Sequence, residues 1–346
     1  MSDERSVEER VCEGTRRRAA WENTVAGSLR RSGTGAGCVS VLRSVFLGLS
    51  QNRRMRAFSE RSAVGKRLSG RFVAGMSVAD ALRACEGLNR EGISVTLDSL
   101  GESVTDERQA RTSAEVYHQL LDAIATRGLE ANVSVKLSQV GMDIHVGLAE
   151  SIVGEMVEHA AAGGSFVRID MEGAAYTEAT IAMTERLHAR PGMRGRVGTV
   201  LQAYLYRTAD DARRLVEQGI RVRLCKGAYK EPAAIAFPQK RDVDANYLAL
   251  MTFLASSGVF CGMATHDEAI VGEMRRFVRE TGLPKDAFEF QMLYGIRRDL
   301  QRKLVSEGYG VRVYLPFGAE WYPYFMRRLA ERPANVLFLA KNFLKS

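Results

Sequence analysis

The chain has 346 residues, 46% of them hydrophobic and 26% charged, so it can bury a large core in one sizeable domain or two ordinary ones. Of its net charge of +8, +7 lies in residues 1–67, which hold 14 Lys/Arg against 7 Asp/Glu; that region lacks the aromatic interleaving of a nucleic-acid binder, so no nucleic-acid partner is expected. Five cysteines without a C-x-x-C pair exclude a disulfide or zinc framework, no apolar run approaches the roughly 20 residues that span a bilayer, and Arg16, Arg17 and Arg18 stand where a signal peptide would be apolar; a reduced, cytoplasmic protein is expected.

Residues 1–38, rich in Arg, Ser, Gly and Glu and closed by Gly33-Thr-Gly-Ala-Gly37, read as a poorly ordered extension. Residues 39–89 read as an N-terminal helical arm: Leu42, Val45, Phe46 and Leu49 share a face, Phe58, Val64, Leu68, Phe72 and Val73 follow, and Val78 to Leu88 closes the pattern. Over residues 90–346 short β-rich runs alternate with amphipathic segments. The runs are Ile93 to Leu97, Asn132 to Lys136, Phe166 to Asp170, Val197 to Gln202, Arg221 to Cys225, Val259 to Ala264, Phe288 to Met292 and Val311 to Leu315. Alternating βα units imply parallel strands. Eight of them in about 240 residues suggest an α/β fold of the closed (β/α)8 type, a TIM-type barrel preceded by N-terminal helices. An open doubly wound sheet would show a Gly-rich dinucleotide fingerprint after its first strand, and Asp98-Ser-Leu-Gly-Glu102 is not one.

A barrel of this kind gathers its active site at the C-terminal strand ends. Those ends carry Asp98 to Glu102, Lys136, Asp170 to Glu172, Gln202, Lys226-Gly227-Ala228, Thr265-His266, Gln291 and Tyr314, polar at nearly every strand. Arg223 alternates with Cys225, and the strand then ends in a cation beside a glycine, Lys226-Gly227, which suits an anionic cofactor with phosphates. His266 has no second histidine at ligand spacing, so no metal is expected and a hydrogen bond to a ligand is the reading. After the last strand, Tyr324, Arg327, Arg328 and Glu331 fall at i, i+3, i+4 and i+7, one face of a helix. Paired guanidiniums grip a planar anion with several donors, and Lys136 adds a third cation for a carboxylate, which Asp170 would balance. Two other readings stand beside this one: a Schiff-base aldolase using Lys136 or Lys226, and a nonenzymatic basic binding module built on residues 1–67.

Several runs resemble the proline dehydrogenase family: Val135-Lys136, Arg168-Ile-Asp170-Met-Glu172, Leu201-Gln202-Ala-Tyr204, Arg223-Leu-Cys-Lys226-Gly-Ala-Tyr229, Ala264-Thr265-His266, Phe288-Glu-Phe-Gln291-Met292-Leu-Tyr-Gly295 and the Tyr-x-x-Arg-Arg-x-x-Glu helix from Tyr324. The resemblance covers roughly residues 40–340 in order. No aldehyde dehydrogenase domain follows Ser346, so it is similar to the short, monofunctional bacterial form, with a separate aldehyde dehydrogenase as candidate partner for the product. The resemblance implies FAD, oxidation of L-proline to Δ1-pyrroline-5-carboxylate, and electron transfer to a membrane quinone. It implies that Arg327, Arg328 and Lys136 bind the carboxylate, that Tyr314 and Tyr324 pack around the ring, and that Asp170 organises the site. Met171, Gln202, Arg223, Lys226, Gly227, Ala228, Thr265 and His266 would contact FAD, with Arg223 stabilising the reduced ring. Glu102 would pair with Arg327 as a gate over substrate. Lys230 departs from the pattern, standing where long bifunctional relatives carry Trp. The basic stretch Val39 to Phe58 is a candidate peripheral contact at the inner face of the membrane.

Overall fold

The structure is a computed structural model that describes residues 70–101, 104–322, 324 and 326. The extension 1–38, most of the arm, Glu102, Arg327, Arg328 and Glu331 therefore lie outside the described residues.

Eight parallel strands close into a barrel in chain order: β1 (Ser94–Ser99), β2 (Ala131–Val135), β3 (Val167–Ile169), β4 (Val197–Gln202), β5 (Arg221–Cys225), β6 (Cys261–Ala264), β7 (Phe288–Leu293) and β8 (Gly310–Phe317). The seam joins β1 to β8 over six residues, from Ser94 opposite Arg312 to Ser99 opposite Phe317. Strands β4 and β5 occupy the runs read from the sequence residue for residue. Strand β6 starts two residues later than Val259, because the Val259 amide is taken by the Ser257 hydroxyl, 3.1 Å away, in a turn that Gly258 completes at φ +77°.

The α-helices are α1 (Val78–Arg90), α2 (Glu107–Arg127), α3 (Val146–Ala162), α4 (Thr177–Ala189), α5 (Thr208–Glu217), α6 (Lys240–Ala255), α7 (Glu268–Thr281) and α8 (Arg298–Ser306). Their ends carry legible chemistry. Ser77 and Asp80 form a reciprocal capping box on α1, Asp106 caps α2 by accepting from the Gln109 amide at 2.9 Å, and Gly128 ends α2 at φ +61°. Helix α1 packs against β1 and β8 and so joins the barrel's outer layer. No described helix is long and apolar enough to cross a membrane.

Side-chain alternation along the strands separates two environments. Val95, Leu97, Val133, Val135, Val167, Ile169, Val222, Leu224, Phe288, Phe290, Val311 and Val313 are buried in one apolar cluster with the helices. Their strand neighbours Thr96, Asp98, Asn132, Ser134, Arg168, Arg223, Glu289 and Gln291 are buried too, yet polar or charged. A second apolar cluster joins Phe72 and Val73, ahead of α1, to Leu100, Trp321, Tyr322, Tyr324 and Met326. It packs the segment ahead of α1 against the segment that follows β8 over the top of β1, where Leu100 N donates to Phe317 O at 2.7 Å.

Candidate active site

Asp170, one residue past the end of β3, is the hub of the upper barrel interior. Its Oδ1 accepts from Arg223 Nη1 at 2.9 Å and from the Ser134 hydroxyl at 2.6 Å, and its Oδ2 accepts from the Tyr314 hydroxyl at 2.7 Å. The Arg223 guanidinium also lies over the Tyr314 ring, 5.1 Å from its centroid, and donates through Nε to Gln291 Oε1. Three strands, β3, β5 and β8, thus hold one acid–guanidinium–phenol cluster, with the guanidinium buried and the acid and phenol partly so. Burial and the charges of Asp170 and Asp98 hold the Tyr314 phenol well above its usual range, so it serves as a hydrogen-bond donor.

Beside this cluster Lys136 donates to Asp98, with Nζ 3.1 Å from Oδ1 and 3.3 Å from Oδ2. Burial works against the Lys136 charge, but Asp98 and Asp170 outweigh it and the ammonium is pushed up to about 12. Burial pushes the Asp98 carboxyl up as well, opposed by Lys136 and reinforced by Asp170. A Schiff-base lysine needs its free amine, whereas the Lys136 ammonium is held against Asp98, an arrangement that suits a carboxylate-binding cation better than a nucleophile. Cys225, raised to about 11 by burial, is likewise no thiolate at neutral pH.

A second group crowns β4, β5 and β6. Lys226 Nζ is held by Asp244 and, at 2.9 Å, by Asp267, so its charge is already matched by two carboxylates. Asp267 is also the N-cap of α7; burial disfavours its charge, yet Lys226 carries the carboxyl below its usual range. The lysine thus has ion-pair partners that its place in the sequence did not announce. Gln202 Nε2 donates to Glu172 O at 2.9 Å, while Glu172 accepts from the Ser138 amide and hydroxyl at 2.9 and 2.7 Å. Thr265 Oγ1 accepts from Asp267 N at 3.1 Å. His266 Nε2 accepts from Leu293 N at 2.9 Å, which puts the neutral ring's proton on Nδ1. The expected ligand-directed histidine therefore has a backbone partner, one that braces β6 against β7.

Gly227 sits at φ +106°, and a β-carbon there would lie 2.1 Å from Tyr204 Cδ1. Only glycine fits both the dihedral and the ring. Tyr204 is buried and its hydroxyl has no hydrogen-bond partner among the described residues. An unsatisfied buried hydroxyl costs about 1–3 kcal/mol, which a polar ligand group at this turn would recover. The bare Gly227 turn, the orphaned phenol beside it and the buried Arg223 cation fit a large polar cofactor lying over β4 to β6. Met171 is buried behind this group and Ala228 is exposed at its edge. Tyr324, 8% exposed, belongs to the apolar cluster above β1.

The structure brings Asp170, Arg223 and Tyr314 into contact, sets Lys136 next to them through Asp98, and groups Gln202, Lys226, Gly227, Thr265 and His266 on the adjoining rim. Ser134, Thr96 and Glu289 also belong to these networks, Tyr204 lies beside Gly227, and none of the four received a role from the sequence; the period-two pattern that makes Ser134 the inward neighbour of Lys136 was the available signal. Among the described residues no group of three or more His, Cys, Asp or Glu is placed to hold a metal.

A closed (β/α)8 barrel with a buried ionic cluster at the C-terminal mouth defines an enzyme of the TIM-barrel class. The family model for proline dehydrogenase matches residues 81–341. Proline dehydrogenase 1 of Bacillus subtilis is 42% identical over 306 residues, covering 88% of this chain and 100% of that protein. Proline dehydrogenase of Deinococcus radiodurans is 43% identical over 285 residues, covering 80% and 90%. Among solved structures, proline utilization A (PutA) of Bdellovibrio bacteriovorus superposes with a TM-score of 0.74 at 23% identity, over 84% of this chain and 36% of that one, and shares the fold. The chain thus spans about a third of that longer protein and essentially all of its Bacillus relative. The chain belongs to the proline dehydrogenase family, oxidoreductases of proline catabolism.

Proposed function

We propose that this chain oxidises L-proline to Δ1-pyrroline-5-carboxylate, with bound FAD accepting the hydride and the electrons then passing to a membrane quinone. The observation that carries the reading is the Asp170–Arg223–Tyr314 cluster, a buried cation and a phenol aimed at the barrel mouth by one carboxylate. Lys136, still charged at neutral pH, supplies one arm of a carboxylate site. Arg327 and Arg328 supply the others by their match to the family motif. Tyr314 and Tyr324 wall the ring, and Glu102 with Arg327 closes the site. FAD is held by Met171, Gln202, Arg223, Lys226, Gly227, Ala228, Thr265 and His266.

Each residue of the chain then has a definite task. Asp170 keeps Arg223 and Tyr314 in one orientation, so that no reorganisation is needed when charge develops. Asp98 holds the Lys136 ammonium in place, and its two oxygens leave one Lys136 N–H for the substrate carboxylate. The Arg223 guanidinium stabilises negative charge on an electron-rich ring. Lys226, neutralised by Asp244 and Asp267, contributes hydrogen-bond donation rather than net charge. Electron transfer to a quinone and peripheral membrane contact through Val39 to Phe58 complete the proposal.

The test is an anaerobic absorption spectrum of the purified, FAD-loaded protein before and after L-proline. The visible flavin band is expected to bleach, and D-proline to leave it unchanged. A protein that resists FAD reconstitution, or one that holds FAD but does not bleach, would overturn the reading.

A further inference from the structure

Below the Asp170 cluster, side chains that are all buried except the part-buried Arg312 close a ring across the barrel. Arg223 donates through Nε to Gln291 Oε1, and Gln291 Nε2 donates to Glu289 Oε1 at 2.6 Å. The same Glu289 oxygen accepts from Arg312 Nε at 2.7 Å. Arg312 Nη1 reaches Asn132 Oδ1 at 3.0 Å, Thr96 donates to that oxygen at 2.7 Å, and Arg223 Nη2 returns to Thr96 Oγ1 at 3.5 Å. Glu289 is the ring's one carboxylate, 5% exposed, and it touches nothing at the barrel mouth.

Gln291 is the informative member. Its amide lies between a guanidinium, which only donates, and a carboxylate, which only accepts. Chemistry therefore allows one orientation: oxygen toward Arg223, nitrogen toward Glu289. Space is made for it by Gly262 on β6, where a β-carbon would sit 2.3 Å from Gln291 Nε2. With no acceptor at 289, the amide's buried NH2 would lose its partner, the side chain would be held from the Arg223 side alone, and the guanidinium's Nε anchor would loosen.

We propose that Glu289 is a positioning residue: by accepting from Gln291 it pins that amide in place, and through it the aim of Arg223 at Asp170 and the mouth. The consequence for turnover rests on the role given to Arg223 above; the consequence for its hydrogen bond does not.

Two variants test it in full-length protein. Glu289→Leu removes the acceptor. The swap Glu289→Gln/Gln291→Glu conserves charge and all three bonds: Glu at 291 accepts from Arg223 and from the 289 amide, whose oxygen accepts from Arg312. Protein 15N-labelled in arginine should show a slowly exchanging Arg223 Nε–H signal, assigned by its loss in Arg223→Lys. Glu289→Leu is expected to shift this signal and speed its exchange, and to lower kcat about tenfold while KM for proline moves less than about threefold. The swap is expected to restore the signal and turnover. Should Glu289→Leu not fold, Glu289→Met, closer to glutamate in shape and equally without an acceptor oxygen, takes its place with the same expected losses. An Arg223 signal and kcat unchanged in the single variant would overturn the proposal, and so would a folded swap as damaged as the single. If the wild type does not oxidise proline, the exchange rates alone decide.

Discussion

The same eight strands present two unlike surfaces, and the difference separates stability from chemistry. Outward, Val95, Leu97, Val133, Val135, Phe288 and Phe290 merge with the helices into one apolar layer. Inward, one residue away in each case, stand Thr96, Asp98, Asn132, Ser134, Glu289 and Gln291. The outer layer gains from the area it removes from water, about 25 cal/mol per Å2. The inner layer gains little, because desolvating its charges offsets most of what their pairing returns. Arg168 illustrates the cost: burial pulls its pKa well below the usual range, its Nη1 has only backbone acceptors, Thr199 O at 2.9 Å and Arg221 O at 2.8 Å, and its Nε has none. A barrel built only to be stable would fill its interior with branched apolar side chains. This one holds paired charges there, in reach of the mouth.

The comparison breaks most readily at Arg223. Arg223→Met leaves Asp170 without its guanidinium, and we expect about 3–5 kcal/mol lost in denaturant unfolding, together with a drop of about 10²–10³-fold in kcat. Loss of stability without loss of turnover would make the inner layer merely structural. The matching change outside is Leu120→Ala, at a fully buried position of α2. It should cost about 2–5 kcal/mol, with turnover per folded molecule unchanged. Gly227→Ala lies between the two. It forces a β-carbon into the Tyr204 ring at φ +106°, and should cost about 1–3 kcal/mol and weaken FAD retention, read by equilibrium dialysis.

The outer layer also carries a pH signature. Burial lowers the His188 pKa below its ordinary 6.5. Its folded pKa is below its unfolded one, so its contribution is present above pH 6.5 and is lost as pH falls from there through the folded value. Melting temperature should therefore decline on acidification in that window, and more steeply than in His188→Asn. The smallest effect is expected at the surface Arg186–Glu150 pair, an exposed guanidinium on a half-buried carboxylate 2.6 Å apart. A double-mutant cycle there should give only about 0.2–1 kcal/mol.

Much of this was legible in the sequence because period-two and βα patterns are local. All eight strand runs fall on strands, and the polar residues at their ends, Asp98, Lys136, Asp170, Gln202 and Thr265, stand at one rim. What escaped depends on distance across the barrel. Nothing local tells that Lys226 would meet Asp244 and Asp267, that His266 would brace Leu293, or that Glu289 and Arg312, 23 positions apart, would share a hydrogen bond. Partners of buried charges are set by closure of the sheet, and closure brings together residues as distant in sequence as Arg312 and Val95, 217 positions apart.

The account turns on a small acid being held at the inward face of this barrel's upper end. A crystal structure of the FAD-loaded protein with a cyclic carboxylic acid of proline's size addresses it most directly. The acid group is expected within about 3.2 Å of Lys136 Nζ, with Arg327 and Arg328 on its other side and the ring against Tyr314. The same compound seated on the outer helices, or in the mouth with its carboxylate turned away from Lys136, would contradict it.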